Sequence, residues 1–111
     1  MSTYLFHAVQ TPETLAKLLA APEDRAAANA PLFKSLGGEL LGLWYGLGGA
    51  DVYVLFELPD DVTATGMAAR VASSGAFTSS TCTRLMTVQE TLAALGGAGG
   101  AAAYRAPGQP G

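Results

Sequence analysis

The feature that most constrains this chain is a pair of alternating apolar stretches, Glu39 to Leu47 and Asp51 to Leu58, joined by Gly48-Gly49-Ala50. A connection this short and this rich in glycine closes an antiparallel hairpin. In the second stretch Val52, Val54 and Phe56 alternate with Asp51, Tyr53, Leu55 and Glu57. One side is therefore a β-branched and aromatic core face, and the other carries the polar groups. In the first stretch the alternation puts Leu41, Leu43, Tyr45 and Leu47 on one face. Gly42, Trp44 and Gly46 fall on the other, where the small neighbours leave room for the indole to lie across them.

Around the hairpin, Tyr4 to Gln10 reads as a first strand with Tyr4, Phe6 and Ala8 on one face and Leu5, His7 and Val9 on the other. Both faces are largely apolar, which suits a central strand. Thr11-Pro12-Glu13 opens a helix over about residues 13–20, with a hydroxyl cap, a proline in the first turn and an acidic residue near the positive helix end. Pro22-Glu23-Asp24 opens a second helical stretch that ends at Leu36-Gly37-Gly38, and Pro31 inside it predicts two helical pieces and a kink. Pro59-Asp60-Asp61 starts a helix from about Val62 to Ser73, ended by Gly75. Phe77 to Met86 is the last long strand, and Thr87-Val88-Gln89-Glu90 matches a capping box for a short helix ending at Gly96-Gly97. The expected division is a folded domain over residues 1–96 and a flexible Gly/Ala/Pro tail over 97–111.

This order is α+β: a ferredoxin-like βαββαβ arrangement with a four-stranded antiparallel sheet and its helices on one face. The other face is left open although its central strands are apolar there. Only 14% of the residues are charged, against roughly 25% in an average soluble protein. Both observations point to a partner for the open face. The simplest is a second copy related by a two-fold axis, giving a sheet-to-sheet dimeric α/β barrel, as a homodimer or a higher homo-oligomer built from it.

Several function classes are disfavoured at this level. Net charge is −3 and the six basic residues, Lys17, Arg25, Lys34, Arg70, Arg84 and Arg105, are scattered along the chain. No basic patch is expected to follow a phosphate backbone, so nucleic acid is not an expected partner. No apolar run approaches the roughly 20 residues of a membrane span, and Met1-Ser2-Thr3-Tyr4 leads directly into a strand pattern, so a cytoplasmic location is expected. Cys82 is the one cysteine, and without Cys/His spacing it implies neither a zinc site nor a redox pair. No metal or cofactor is expected.

The stretches Pro22-Glu23-Asp24-Arg25-Ala26-Ala27-Ala28, Pro31-Leu32, Leu36-Gly37-Gly38-Glu39-Leu40 and Trp44 through Val52 resemble the GYD domain family over roughly residues 3–95. That family takes its name from a Gly-Tyr-Asp triplet at the start of the third strand. The matching residues here are Gly49, Ala50 and Asp51, so the tyrosine is missing and no role of its ring carries over. The resemblance implies the dimeric α/β barrel group of ferredoxin-like folds and implies no particular reaction. That group includes cofactor-free monooxygenases, lactone isomerases, haem-binding peroxidases and plain binding proteins.

The strand faces bring His7, Trp44, Tyr53 and Glu57 to the open side, inside the expected barrel. His7 could carry a proton near neutral pH, Glu57 could orient its ring or act as the acid, and Tyr53 could donate to a developing oxyanion. The competing reading is a structural pair of His7 and Glu57 across the sheet, with Trp44 as a packing anchor. Trp44 and Arg84 are the candidates for substrate binding, although alternation leaves the face of Arg84 open. Asp51 reads as a turn or cap residue, and Cys82 as an inert thiol. The expected function is small-molecule binding in the barrel interior. The alternatives are a cofactor-independent monooxygenase or isomerase using His7, and a haem binder.

Overall fold

The computed structural model describes residues 1–109. The elements run β1 (Ser2–Gln10), α1 (Pro12–Ala20), α2 (Arg25–Ser35), β2 (Glu39–Tyr45), β3 (Asp51–Leu58), α3 (Asp61–Ala72), β4 (Phe77–Leu85) and α4 (Val88–Gly99). The four strands form one sheet in the order β2-β3-β1-β4, antiparallel throughout. This is the ferredoxin-like α+β arrangement expected from the sequence, with β1 and β3 inside and the edges at β2 and β4.

The core lies on the side covered by α2 and α3. Tyr4, Phe6 and Ala8 of β1 and Val52, Val54, Phe56 and Leu58 of β3 are buried there with Phe33, Ala64 and Met67 from the helices. Phe56, fully buried, stacks on Tyr4 at 5.5 Å between ring centroids and meets Phe33 at 4.8 Å. Rings at such separations contribute beyond their buried area.

The helices begin where short polar side chains can hold free N–H groups. The Thr11, Asp24, Asp60 and Thr87 side chains accept from Thr14, Ala27, Thr63 and Glu90 backbone N–H respectively. At α4 the capping box is complete, since the Glu90 carboxylate also accepts from the Thr87 N–H at 3.0 Å.

Three local expectations change. Pro31 sits inside one continuous α2 and does not divide it. The carbonyl that proline leaves without its usual donor belongs to Ala27, an exposed residue, where water can replace the missing bond. In β2 the register shifts between Leu40 and Gly42. Leu40 therefore joins Leu43 against the core, while Leu41 is 45% exposed. The strand stops at Tyr45, so Leu47 is fully exposed in the connection, where Gly48 and Gly49 both take positive φ. Finally, α4 runs through Gly96-Gly97 to Gly99, because glycine weakens a helix by about 1 kcal/mol without forbidding it. The helix thus crosses the expected 96/97 boundary, and the last two residues of the expected tail lie outside the described residues.

Candidate functional site

Antiparallel pairing of β1 with β3 places His7 opposite Tyr53, and pairing of β3 with β2 places Tyr53 opposite Trp44. With Thr81 opposite His7 on β4, the open face carries a row Thr81–His7–Tyr53–Trp44 across all four strands. The His7 and Tyr53 rings stack at 4.7 Å with 19° between their planes. Trp44, 54% exposed, folds back over Gly42. A Cβ on Gly42 would lie 2.4 Å from the indole, so the missing side chain is what gives the ring its place.

The partner of His7 is Asp51. Nε2 lies 2.8 Å from Asp51 Oδ1, with the two side chains 36% and 42% exposed. An ionised carboxylate only accepts, so Nε2–H donates to it, and in the neutral imidazole the lone pair is then on Nδ1. Asp51 is opposite Val9, two residues along β1 from His7, and the contact is diagonal across the two strands.

Glu57 shares the open face but belongs to a different row. It pairs with Thr3 and Glu39, four residues along the strand from the His7–Tyr53 position, which is about 13 Å at the usual rise per residue. The pairing of His7 with Glu57 considered from alternation is therefore replaced by His7 with Asp51. Alternation had put Asp51 on the correct face; what it lacked was the strand register.

Arg84 is opposite Tyr4 and so lies on the helix side, away from the row. Its guanidinium donates to Glu90 Oε2 at 2.8 Å and lies 3.6 Å from Asp61 Oδ1, while the Tyr4 hydroxyl donates to Asp61 at 2.7 Å. These contacts hold Arg84 between the starts of α3 and α4. The Glu90 hydrogen bond raises the Arg84 pKa further, and burial followed by the Asp61 acceptor raises that of Tyr4. Cys82 is opposite Phe6, and desolvation pushes its thiol pKa up, away from the reactive thiolate. Among the described residues no group of His, Cys, Asp and Glu side chains is arranged to hold a metal ion.

A space of a size to receive a small molecule lies on the other side of the sheet, apart from the open face where the sequence reading expected one. A cavity of about 490 Å³ opens between the sheet and the helices. Its floor is Phe6, Val52, Val54 and Phe56, its walls include Phe33 and Met67, and Lys17, Glu23, Arg25 and Arg70 also line it. Sequence reasoning missed this cavity. In the fold α1 buries none of its residues and leaves part of the sheet's helix side unfilled, which no local signal in the sequence shows. The cavity is also separated by the sheet from His7, whose Nε2 is engaged by Asp51 and whose ring is stacked on Tyr53.

The family model for the GYD domain matches residues 4–95. The chain belongs to the GYD domain family. A search of curated proteins gives no match. Within this GYD domain the aspartate of the name-giving triplet, Asp51, is the residue bonded to His7, while Ala50 stands where the triplet has tyrosine. No helix among the described residues is long and apolar enough to cross a membrane.

Proposed function

We propose that this GYD domain is a self-associating module that binds a small, mainly apolar molecule in the cavity between its sheet and helices. The observation that carries the reading is the cavity. Its volume of about 490 Å³ falls within the roughly 300–1,000 Å³ typical of small-molecule sites, and such sites combine apolar walls with a few polar groups, as here. Self-association through the open face is supported by the row of Trp44, Tyr53 and His7 with Leu5, Val9 and Leu55 around it. A second copy is the partner that could cover both faces at once.

A second reading rests on the His7–Asp51 pair. With Nε2 held at 2.8 Å by Asp51, the neutral imidazole would present Nδ1 as a base, and a reaction needing only a base fits this arrangement. It requires the open face to become a closed space between two copies, because in one chain the pair is half-exposed.

The binding reading is tested by filling the cavity. Val71 lines it from α3, and Val71→Phe should keep or raise the melting temperature. A thermal-shift screen with a panel of small apolar molecules, neutral and charged, should give stabilising compounds for the wild-type protein. Those shifts should vanish in the variant. A screen without hits, or hits that survive Val71→Phe, would overturn the assignment of the cavity.

A further inference from the structure

The chain is acidic, with nine Asp and Glu residues against six Lys and Arg. The residues lining the cavity reverse this balance. Lys17, Arg25 and Arg70 line it with a single carboxylate, Glu23. Half of the protein's cationic side chains therefore converge on one space, and they come from three different helices: α1, α2 and α3. Glu23 does not neutralise all three. Its Oε1 accepts from Arg25 Nη1 at 2.7 Å, which matches one charge with one. Lys17 and Arg70 take part in none of the ion pairs among the described residues. Both are exposed, so their heads stay in water while their stems border the apolar interior.

An apolar cavity bordered by two unpaired cations is complementary to a molecule with the same two-part chemistry. From this geometry we infer that the cavity takes an apolar compound carrying one carboxylate or a similar anionic head, with its body on Phe6, Val54 and Phe56 and its head between Lys17 and Arg70. The inference rests on the cavity being a binding site and adds the ligand class. A neutral ligand would leave the two cations without use, and a cationic one would meet them as like charges. An anion accepts charge-assisted hydrogen bonds from both, which are about twice as strong as neutral ones.

The test compares octanoate, 1-octanol and octyltrimethylammonium by titration calorimetry on the full chain and on the double variant Lys17→Gln/Arg70→Gln. Octanoate should bind the wild-type protein about tenfold more tightly than 1-octanol, and octyltrimethylammonium more weakly than either. In the double variant octanoate should fall to the affinity of 1-octanol, which itself should not change. Raising the salt concentration should weaken octanoate and leave 1-octanol alone, a measurement that needs no variant. Equal binding of octanoate and 1-octanol to the wild-type protein would refute the anionic class while leaving the cavity as a binding site. A preference for octanoate that persists in the double variant, or binding that persists in Val71→Phe, would place the anion elsewhere and also refute it. Failure of all three compounds to bind would overturn the inference and the cavity reading together.

Discussion

The coupling between His7 and Asp51 measures whether the open face is covered. In a single chain the two side chains are 36% and 42% exposed around a 2.8 Å contact. A pair so open to water is worth roughly 0.2–1 kcal/mol, because the solvent screens it and two side chains must be held in one geometry. If a second copy closes over the sheet, the same pair loses its water. Removing one partner then leaves a buried group unsatisfied, at a cost of about 3–5 kcal/mol. The perturbation is a double-mutant cycle of His7→Ala, Asp51→Ala and the double variant, followed by urea unfolding at fixed protein concentration. His7→Ala also loses the stack on Tyr53 at 4.7 Å, but that loss occurs with and without Asp51 and cancels in the cycle. A coupling above about 2 kcal/mol, with an unfolding midpoint that rises with protein concentration, is the expected result. A coupling below about 1 kcal/mol with a midpoint independent of concentration would refute a covered face, and with it the proton-transfer reading that needs a closed space.

Two further outcomes follow from local structure. Gly66 lies in the middle of α3, is exposed, and a Cβ built there meets nothing within 4 Å; Gly66→Ala should stabilise the protein by about 0.5–1 kcal/mol and raise its melting temperature by several degrees, and an unchanged or lower value would contradict this. Asp60 is held below the usual carboxylate range by the Thr63 N–H and hydroxyl, and Glu90 by the Thr87 N–H and then Arg84. Groups depressed in the folded state add stability that is present above their unfolded pKa and is lost as pH falls through the folded value, so melting temperature should drop on acidification below about pH 5. The drop should be shallower in Asp60→Asn/Glu90→Gln, and parallel curves would sink this account.

The expectations drawn from residue order held where the determining forces are local. Caps at Thr11 and Thr87, alternation along β1 and β3, and the glycine-closed hairpin each depend on residues a few positions apart, so the elements and their order could be read directly. The misses inside elements were also local but quantitative. Pro31 and the Gly96-Gly97 pair weaken a helix by amounts that the surrounding turns can offset, and the register shift at Leu41 changes the face of one leucine without changing the strand.

The candidate sites divide along the same line. Alternation alone put His7, Tyr53, Trp44 and Glu57 on the open face, because side-chain period in a strand is a property of the backbone. Which of them meet is set by register, and register is fixed only when β1 lies against β3; that is why Asp51, 44 positions from His7, became its partner and Glu57 did not. Arg84 was undecided in sequence for the same reason, and pairing with Tyr4 sent it to the helix side. The cavity lies furthest from what composition can reveal. Lys17, Arg25 and Arg70 are scattered cations in the sequence and line one apolar space in the fold, because the placement of three helices on one side of the sheet brings together charges that no local interaction connects.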